Sequence, residues 1–307
     1  VIAAYNERTE ENDAFVSFSG HFRSKGLPVP EVFYYNRDEG IYFLEDLGSL
    51  SLFELIMAEP GAFEQGKAAT DIYKQVLDTL LLFQTRGYEG LDLELCYPHR
   101  SFDSRSMMWD MNYFKYMFLN LMAVPYHERR LEHDFELLRD FLLSAPQDYF
   151  LYRDFQSANI MLRDHKPWFI DYQGGRKGAP QYDVASLLFD AKAHIPQHIR
   201  EQLLNHYLRS LDREGSLTPD QFMVHYHGFA LIRIMQALGA FGFRGLYENK
   251  PTFTESIVPA VQLMYEIIGK GIPGTELHEL EKTIRNISSA RKFRELEAKM
   301  ADTGNIT

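Results

Sequence analysis

The sequence predicts an α+β fold in which a small strand-bearing front segment, residues 1–48, precedes a larger, mainly helical body, residues 49–270. Three observations carry that reading. At the front, short runs rich in Ile, Val, Phe and Tyr are separated by turn residues, as strands are. Beyond residue 50, apolar side chains recur at spacings of three and four over long windows, as on amphipathic helices. Inside the helical body the pattern changes: 160–163, the turn residues 164–167 and 168–170 read as strand, turn and strand.

Taken in order, residues 1–5 read as a strand. Over 11–25, Ala14, Phe15, Phe18 and Phe22 share one face of a helix that stops at Gly26, and Pro28 and Pro30 prevent its continuation. Residues 32–35 and 41–44 flank the turn 36–40 and form a hairpin. Helices are expected over 52–57, 64–86, 107–121, 128–144, 183–193, 196–212, 219–240 and 256–268. Asp183 stands just ahead of the apolar run 184–189, a position suited to an N-cap. Residues 271–307 are charged and helical around 289–301, and read as a tail or as a linker to a fused C-terminal domain. There is no internal repeat.

Composition sets limits without choosing a chemistry. A chain of 307 residues, 45% hydrophobic, can bury a large core. Cys96 is the lone cysteine, so no intrachain disulfide forms; with no signal peptide and no apolar run of eighteen residues, a reducing cytoplasm is expected. The net charge of −11 argues against a nucleic-acid partner, which needs a basic face, and gives no reason to expect a membrane partner. It also repels anionic ligands.

The most informative run is YRDFQSANIML, 152–162, followed by WFIDYQGG, 168–175. Asp154 and Asn159 stand five positions apart. Asn159 precedes the first strand of the expected hairpin and Asp171 follows the second, so both side chains emerge at its open end, about 5 Å apart. Two oxygen ligands there suit a Mg²⁺ ion that bridges nucleotide phosphates and keeps waters for the rest of its shell. Asp154, on the loop upstream, can accept a proton from an attacking hydroxyl. An Asp-x4-Asn spacing alone also describes ordinary turn residues. What a turn does not explain is why an acid follows an apolar strand directly.

Together these residues resemble the catalytic and metal loops of the aminoglycoside phosphotransferase and choline kinase superfamily, relatives of the protein kinases. The resemblance implies a protein-kinase-like bilobal fold with a small N-terminal lobe. It also implies roles: Asp154 as catalytic base, Asn159 and Asp171 as Mg²⁺ ligands, ATP as phosphoryl donor, and Asp183 as a structural brace of the catalytic loop. Tyr152 stands where protein kinases and most aminoglycoside kinases carry His, and Tyr172 with Gln173 replaces the Phe-Gly that follows the metal Asp in protein kinases. The stretch FIDYQGGRKGAPQYDVASLLFDAK, 169–192, is most similar to the branch containing the bacterial cell-wall amino-sugar kinases, which phosphorylate the anomeric hydroxyl of N-acetylmuramate and N-acetylglucosamine. The resemblance extends over about residues 1–264 and is densest between 151 and 192.

Further expectations follow from it. In kinase-like folds the strand that here ends at Leu44 leads into a hinge that holds the adenine, so Glu45, Asp46 and Leu47, with Gly48, are expected to bind nucleotide through their main chain. An ordinary strand-to-helix connection reads the same way. The glycine-rich loop that opens a kinase fold does not precede Val1, so the chain reads as a fragment or as one with a disordered front. Residues 1–5 hold no Lys where protein kinases pair the phosphates. Glu11 reads as an acid complementing its helix dipole. The segment QGGRK, 173–177, offers backbone N–H groups and two cations, as a phosphate cradle or a solvated turn. Arg153, beside the proposed base, reads as structural support.

For the acceptor, residues 102–121 carry Trp109, Tyr113, Phe114 and Phe118 at helical spacing, an arrangement that commonly packs a core. Trp109 and Asp110 are the candidates for stacking on a sugar ring and taking its hydroxyls. Arg233, Gln236 and Arg244 lie among glycines in 231–250, and Arg244 is the candidate to hold an acidic acceptor, with helix linkage as the plainer reading. The expected function is ATP- and Mg²⁺-dependent transfer of the γ-phosphate to a hydroxyl of an amino sugar or related sugar. An aminoglycoside or choline kinase, a catalytically inactive nucleotide- or sugar-sensing module, and an interaction scaffold are the alternatives.

Overall fold

A three-stranded antiparallel sheet opens the chain. Strand β1 (Ile2–Tyr5) leads into helix α1 (Thr9–Ser24), and β2 (Val32–Asn36) and β3 (Ile41–Leu44) return as a hairpin with β3 in the middle of the sheet. The computed structural model describes residues 1–59, 61–63 and 67–304. Helices α2 (Leu52–Ala58) and α3 (Lys67–Gln84) follow; the first three positions expected of α3, 64–66, lie outside the described residues. Helix α4 (Ser104–Phe114) runs on through a π-helical turn, Lys115–Leu119, into α5 (Asn120–Met122), and α6 is Glu128–Leu143. Strands β4 (Tyr149–Leu151), β5 (Ile160–Arg163), β6 (Lys166–Phe169) and β7 (Arg176–Gly178) carry the two loops of interest. Then come α7 (Gln181–Leu188), α8 (Gln197–Glu214), α9 (Pro219–Phe241) with a π-helical turn at Gly242–Tyr247, α10 (Pro251–Thr254), α11 (Ile257–Lys270), α12 (His278–Asn286) and α13 (Arg291–Gly304).

These elements form two compact units, Val1–Phe102 with Pro146–Pro219, and Asp103–Ala145 with Asp220–Thr307. In the first, Ala14, Phe15, Phe18 and Phe22 of α1 are buried as their spacing requires. Phe22 is the centre of an aromatic layer, with ring centroids 5.0 Å from Phe83 of α3, 5.1 Å from Phe150 of β4 and 5.4 Å from Tyr172. The β5–β6 hairpin is pinned on both sides, since Leu162 N donates to Leu50 O at 2.8 Å and Phe169 N to Pro28 O at 2.9 Å.

In the second unit, α9 and its π turn are apolar enough by length and composition to cross a bilayer, but 67% of the most apolar window is buried within the protein, as in a core helix. Its π turn faces that of Lys115–Leu119. Gly242 permits the approach, because a Cβ there would stand 1.9 Å from Met117 O. Lys115, whose side chain is fully buried, pairs with Glu128 and Glu132 at 2.7 and 3.0 Å. The segment read from sequence as a tail contains α12, which buries Leu280 and Ile284 and is joined to α6 and its approach by Leu280 N to Asp134 at 2.8 Å and His127 N to Glu279 at 2.8 Å.

One sequence expectation is corrected here. Asp183 is not an N-cap: α7 begins at Gln181 after Pro180, and Asp183 sits inside its first turn. Its fully buried carboxylate turns away from its own helix to accept from Tyr152 N at 2.6 Å and Arg153 N at 3.0 Å. Burial pushes this carboxyl up, to about 7, while the two N–H donors work in the opposite direction. Removing it leaves two buried N–H groups without an acceptor. Asp183→Ala is therefore expected to destabilise the protein by about 2–4 kcal/mol, read as a lowered urea midpoint; an unchanged midpoint would refute the bracing role.

Candidate active site

The site grows from the ends of two short strands. After β4 the chain leaves extended geometry at Arg153, whose φ of 83° turns it into the loop that carries Asp154. The guanidinium of Arg153 donates to Tyr182 Oη at 2.7 Å and lies over the rings of Phe102 and Tyr182, at 5.0 and 5.1 Å, so the side chain serves packing. A turn of 3-10 helix, Ser157–Asn159, then delivers Asn159 to the start of β5.

The hairpin forms with its open end where the sequence puts it, but its turn is shorter than the expected 164–167: Lys166 and Pro167 join β6, leaving Asp164 and His165 as the turn. Ile160 pairs with Phe169 and Arg163 with Lys166, so Asn159 and Asp171 emerge at the open end. Asn159 Nδ2 donates to Asp171 Oδ2 at 2.8 Å and to Asp154 O at 2.9 Å. With its nitrogen so engaged, the Asn159 oxygen is the atom left for a cation. Asp171, half-buried at φ 69°, also accepts from Gln173 Nε2 at 2.7 Å. Burial first, and then the charge of Asp154, push the Asp171 carboxyl above its ordinary value, while Gln173 and Asn159 act in the other direction. Among the described residues no group of three or more His, Cys, Asp or Glu side chains gathers to enclose a metal. An Asp and an Asn suit a hard divalent ion that takes its other ligands from phosphates and water.

Asn159, Met161, Ile170, Asp171 and Gln173 form one side of a cleft of about 450 Å³. Its other walls are Ile2, Ala4, Phe15, Tyr42 and Leu44, with Glu45, Leu47 and Gly48 from the expected hinge. Asp46 does not line it; its carboxylate accepts from Gly48 N at 2.9 Å, shaping the hinge turn. The Glu45 side chain is paired with Arg163 and Arg23, and its N–H donates to Glu31 O at 2.8 Å, so hinge contacts to a ligand would fall to other main-chain groups.

The cations of QGGRK do not face this cleft. Arg176 is buried and donates to Gly174 O at 2.9 Å and Tyr97 O at 3.4 Å, and Lys177 pairs with Asp148. Gly175 is required for another reason: a Cβ there would stand 2.2 Å from the Phe150 ring. The acceptor candidates belong to the second unit. Trp109, half-exposed, and Asp110, buried, line a groove of about 360 Å³ with Asn112, Tyr113, Tyr116 and Met117; Arg244 does not line it and lies exposed over Phe253, at 5.4 Å.

Two contributors were not anticipated. Gln173 fixes one oxygen of Asp171, and the sequence signal was its position two residues on, where an amide can reach back. Tyr152 donates its hydroxyl to Ile170 O at 2.7 Å, joining the catalytic loop to the residue before Asp171; only its departure from His marked it beforehand.

The chain is similar in sequence and in fold to known proteins. A chain named N-acetylmuramate/N-acetylglucosamine kinase from Neisseria meningitidis serogroup B is 26% identical over 224 residues, covering 71% of this chain and 64% of that one, so the match spans less than two thirds of the relative. A protein of the same name from Pseudomonas aeruginosa is 23% identical over 88% of this chain and 78% of its own. The solved structure of an ethanolamine kinase from Plasmodium vivax superposes with a TM-score of 0.58 at 13% identity, over 86% of this chain and 75% of that one, which establishes the protein-kinase-like fold. The phosphotransferase enzyme family matches residues 3–217, and the chain belongs to that family.

Proposed function

We propose that this protein is a Mg²⁺- and ATP-dependent kinase that transfers the γ-phosphoryl group to a hydroxyl of an amino sugar of the N-acetylmuramate or N-acetylglucosamine type. The observation that carries the proposal is the junction at Asn159, whose amide ties the Asp154 backbone and the Asp171 carboxylate together at the edge of the cleft. The acceptor class rests on the two relatives that bear those names. Residues 1–48 then act as the nucleotide-side lobe and 49–270 as the body that carries both loops.

In this reading the apolar walls around Ala4, Tyr42 and Leu47 take the adenine and ribose, with main-chain groups near Leu47 and Gly48 as polar contacts. Asn159 Oδ1 and the Asp171 carboxylate hold Mg²⁺, which when bound neutralises and orients the phosphates. Asp154 orients the acceptor hydroxyl and takes its proton as the oxygen attacks in line. Gln173 and the Asn159 amide keep the Asp171 oxygens from rotating. ATP chemistry and a lone buried Cys96 fit a reducing cytoplasm.

Phosphorus NMR of ATP and Mg²⁺ with a mixed pool of amino sugars, aminoglycosides and choline tests the reaction. A new sugar-phosphate resonance is expected, and its proton coupling identifies the hydroxyl attacked; ATP consumed only with an aminoglycoside or choline would replace the acceptor, and ATP untouched by the whole pool would favour a sensing module. Asp154→Ala is expected to lose about a hundred- to ten-thousandfold in turnover while still binding ATP, and equal activity would sink the base assignment. Asp171→Ala should instead weaken Mg²⁺-dependent ATP binding itself, measured by calorimetry with and without the metal. Unchanged affinity would rule out its metal role.

A further inference from the structure

Asp171 holds a backbone conformation, φ 69°, that few residues with a Cβ adopt, Asp more readily than most. Contacts on both flanks hold it there. Before it, Ile170 N donates to Asn159 O at 3.2 Å and Ile170 O accepts from Tyr152 Oη at 2.7 Å. After it, the fully buried Tyr172 ring is stacked on Phe15 of α1 at 5.1 Å and edge-on to Phe22 at 5.4 Å. Its hydroxyl lies 2.6 Å from Ser19 Oγ, also on α1.

The direction of that hydrogen bond follows from proton counting. Ser19 has one hydroxyl proton, and its Oγ is 2.7 Å from Phe15 O, which can only accept. Ser19 therefore donates to its own helix, and Tyr172 donates to Ser19. Packing alone would be met by Phe, since the ring contacts do not involve the hydroxyl. The hydroxyl adds a directional tie between helix and loop, which a sliding ring contact does not supply.

We infer that the Tyr172–Ser19 hydrogen bond is a clamp through which helix α1 sets the position of the Asp171 carboxylate, making Tyr172 and Ser19 positioning residues for metal binding. The inference rests on the reading of Asp171 as a Mg²⁺ ligand. The same helix carries Glu11, whose charge acts on the Asp171 carboxyl, so a shift of α1 changes the field at the metal as well as the geometry.

The test uses Tyr172→Phe, Ser19→Ala and the double variant. Calorimetric titration of ATP at graded Mg²⁺, with Mn²⁺ binding by electron paramagnetic resonance, reads the metal; adenosine without metal reads the cleft; a urea midpoint reads the fold. Tyr172→Phe is expected to raise half-saturating Mg²⁺ about five- to tenfold, the low end for loss of a group supporting a ligand, with adenosine binding unchanged. Its midpoint should barely move, because Ser19 keeps Phe15 O. Ser19→Ala should show the same metal loss together with a lower midpoint, since the Tyr172 hydroxyl is left buried without an acceptor. The double variant should bind metal no worse than the weaker single, because the same bond is removed. If the parent binds ATP with Mg²⁺ and the single variants match it, or if the metal losses add, the clamp is overturned while the site stands. A parent without Mg²⁺-dependent ATP binding would overturn the site reading and the clamp with it.

Discussion

The loop that carries Asp154 hangs on one buried carboxylate. Arg153, at φ 83°, turns the chain out of β4, so the N–H groups of Tyr152 and Arg153 are not presented to a strand ladder. Buried N–H groups need acceptors, and a carboxylate has two oxygens spaced to meet successive donors. Asp183 supplies both, at 2.6 and 3.0 Å, from the first turn of α7. Since α7 packs on α8 and α8 on α3, the position of Asp154 is inherited from a packed helical layer rather than from the loop's own sequence. The loop can thus be short and still be fixed.

Charge sets the next constraint. Burial, and after it the charge of Asp154, push the Asp171 carboxyl above its ordinary value. The chain as a whole carries −11, and none of the described residues lining the cleft is basic. An anionic nucleotide brought to such a cleft is repelled unless a cation accompanies it. A divalent ion at the proposed site, Asn159 and Asp171, would remove both difficulties at once, compensating the half-buried acid and attracting the phosphates. The local donors, Gln173 and the Asn159 amide, orient the carboxylate and act against that upward push, but they carry no net charge to offset it.

Much of this was legible because it is local. The apolar strands and the turn residues between them determine which end of the β5–β6 hairpin Asn159 and Asp171 occupy, although the turn is the two residues Asp164 and His165 rather than the expected 164–167, so that Ile160 pairs with Phe169. The apolar face of α1 follows from its spacing in the same way. What escaped depends on partners distant in sequence. The line-up of residues near Asp183 suggested an N-cap, yet its acceptors are used 30 and 31 residues upstream. Arg176 and Lys177 follow two glycines beside the metal loop, but β7 pairs with β4 and directs them to Gly174, Tyr97 and Asp148 instead. The π turns at Lys115–Leu119 and Gly242–Tyr247 have no local signature beyond Gly242, whose meaning is the proximity of Met117 O. Periodicity reports which face is buried; it does not report what lies against it.

The two departures from the superfamily pattern form a single device. Tyr152 stands where the kinases this chain resembles usually carry His and Tyr172 where protein kinases carry Phe, and each places a phenolic hydroxyl there. Both hydroxyls are used: Tyr152 Oη donates to Ile170 O at 2.7 Å, and Tyr172 Oη meets Ser19 Oγ at 2.6 Å. They grip the residues on either side of Asp171, where the backbone is least able to hold its own conformation. A buried hydroxyl without a partner is costly, so substitutions of this kind persist only where acceptors are in place. A fold retained merely as a scaffold has no need to fix the orientation of one half-buried carboxylate. The two tyrosines therefore fix the backbone on both sides of the carboxylate proposed to hold the metal.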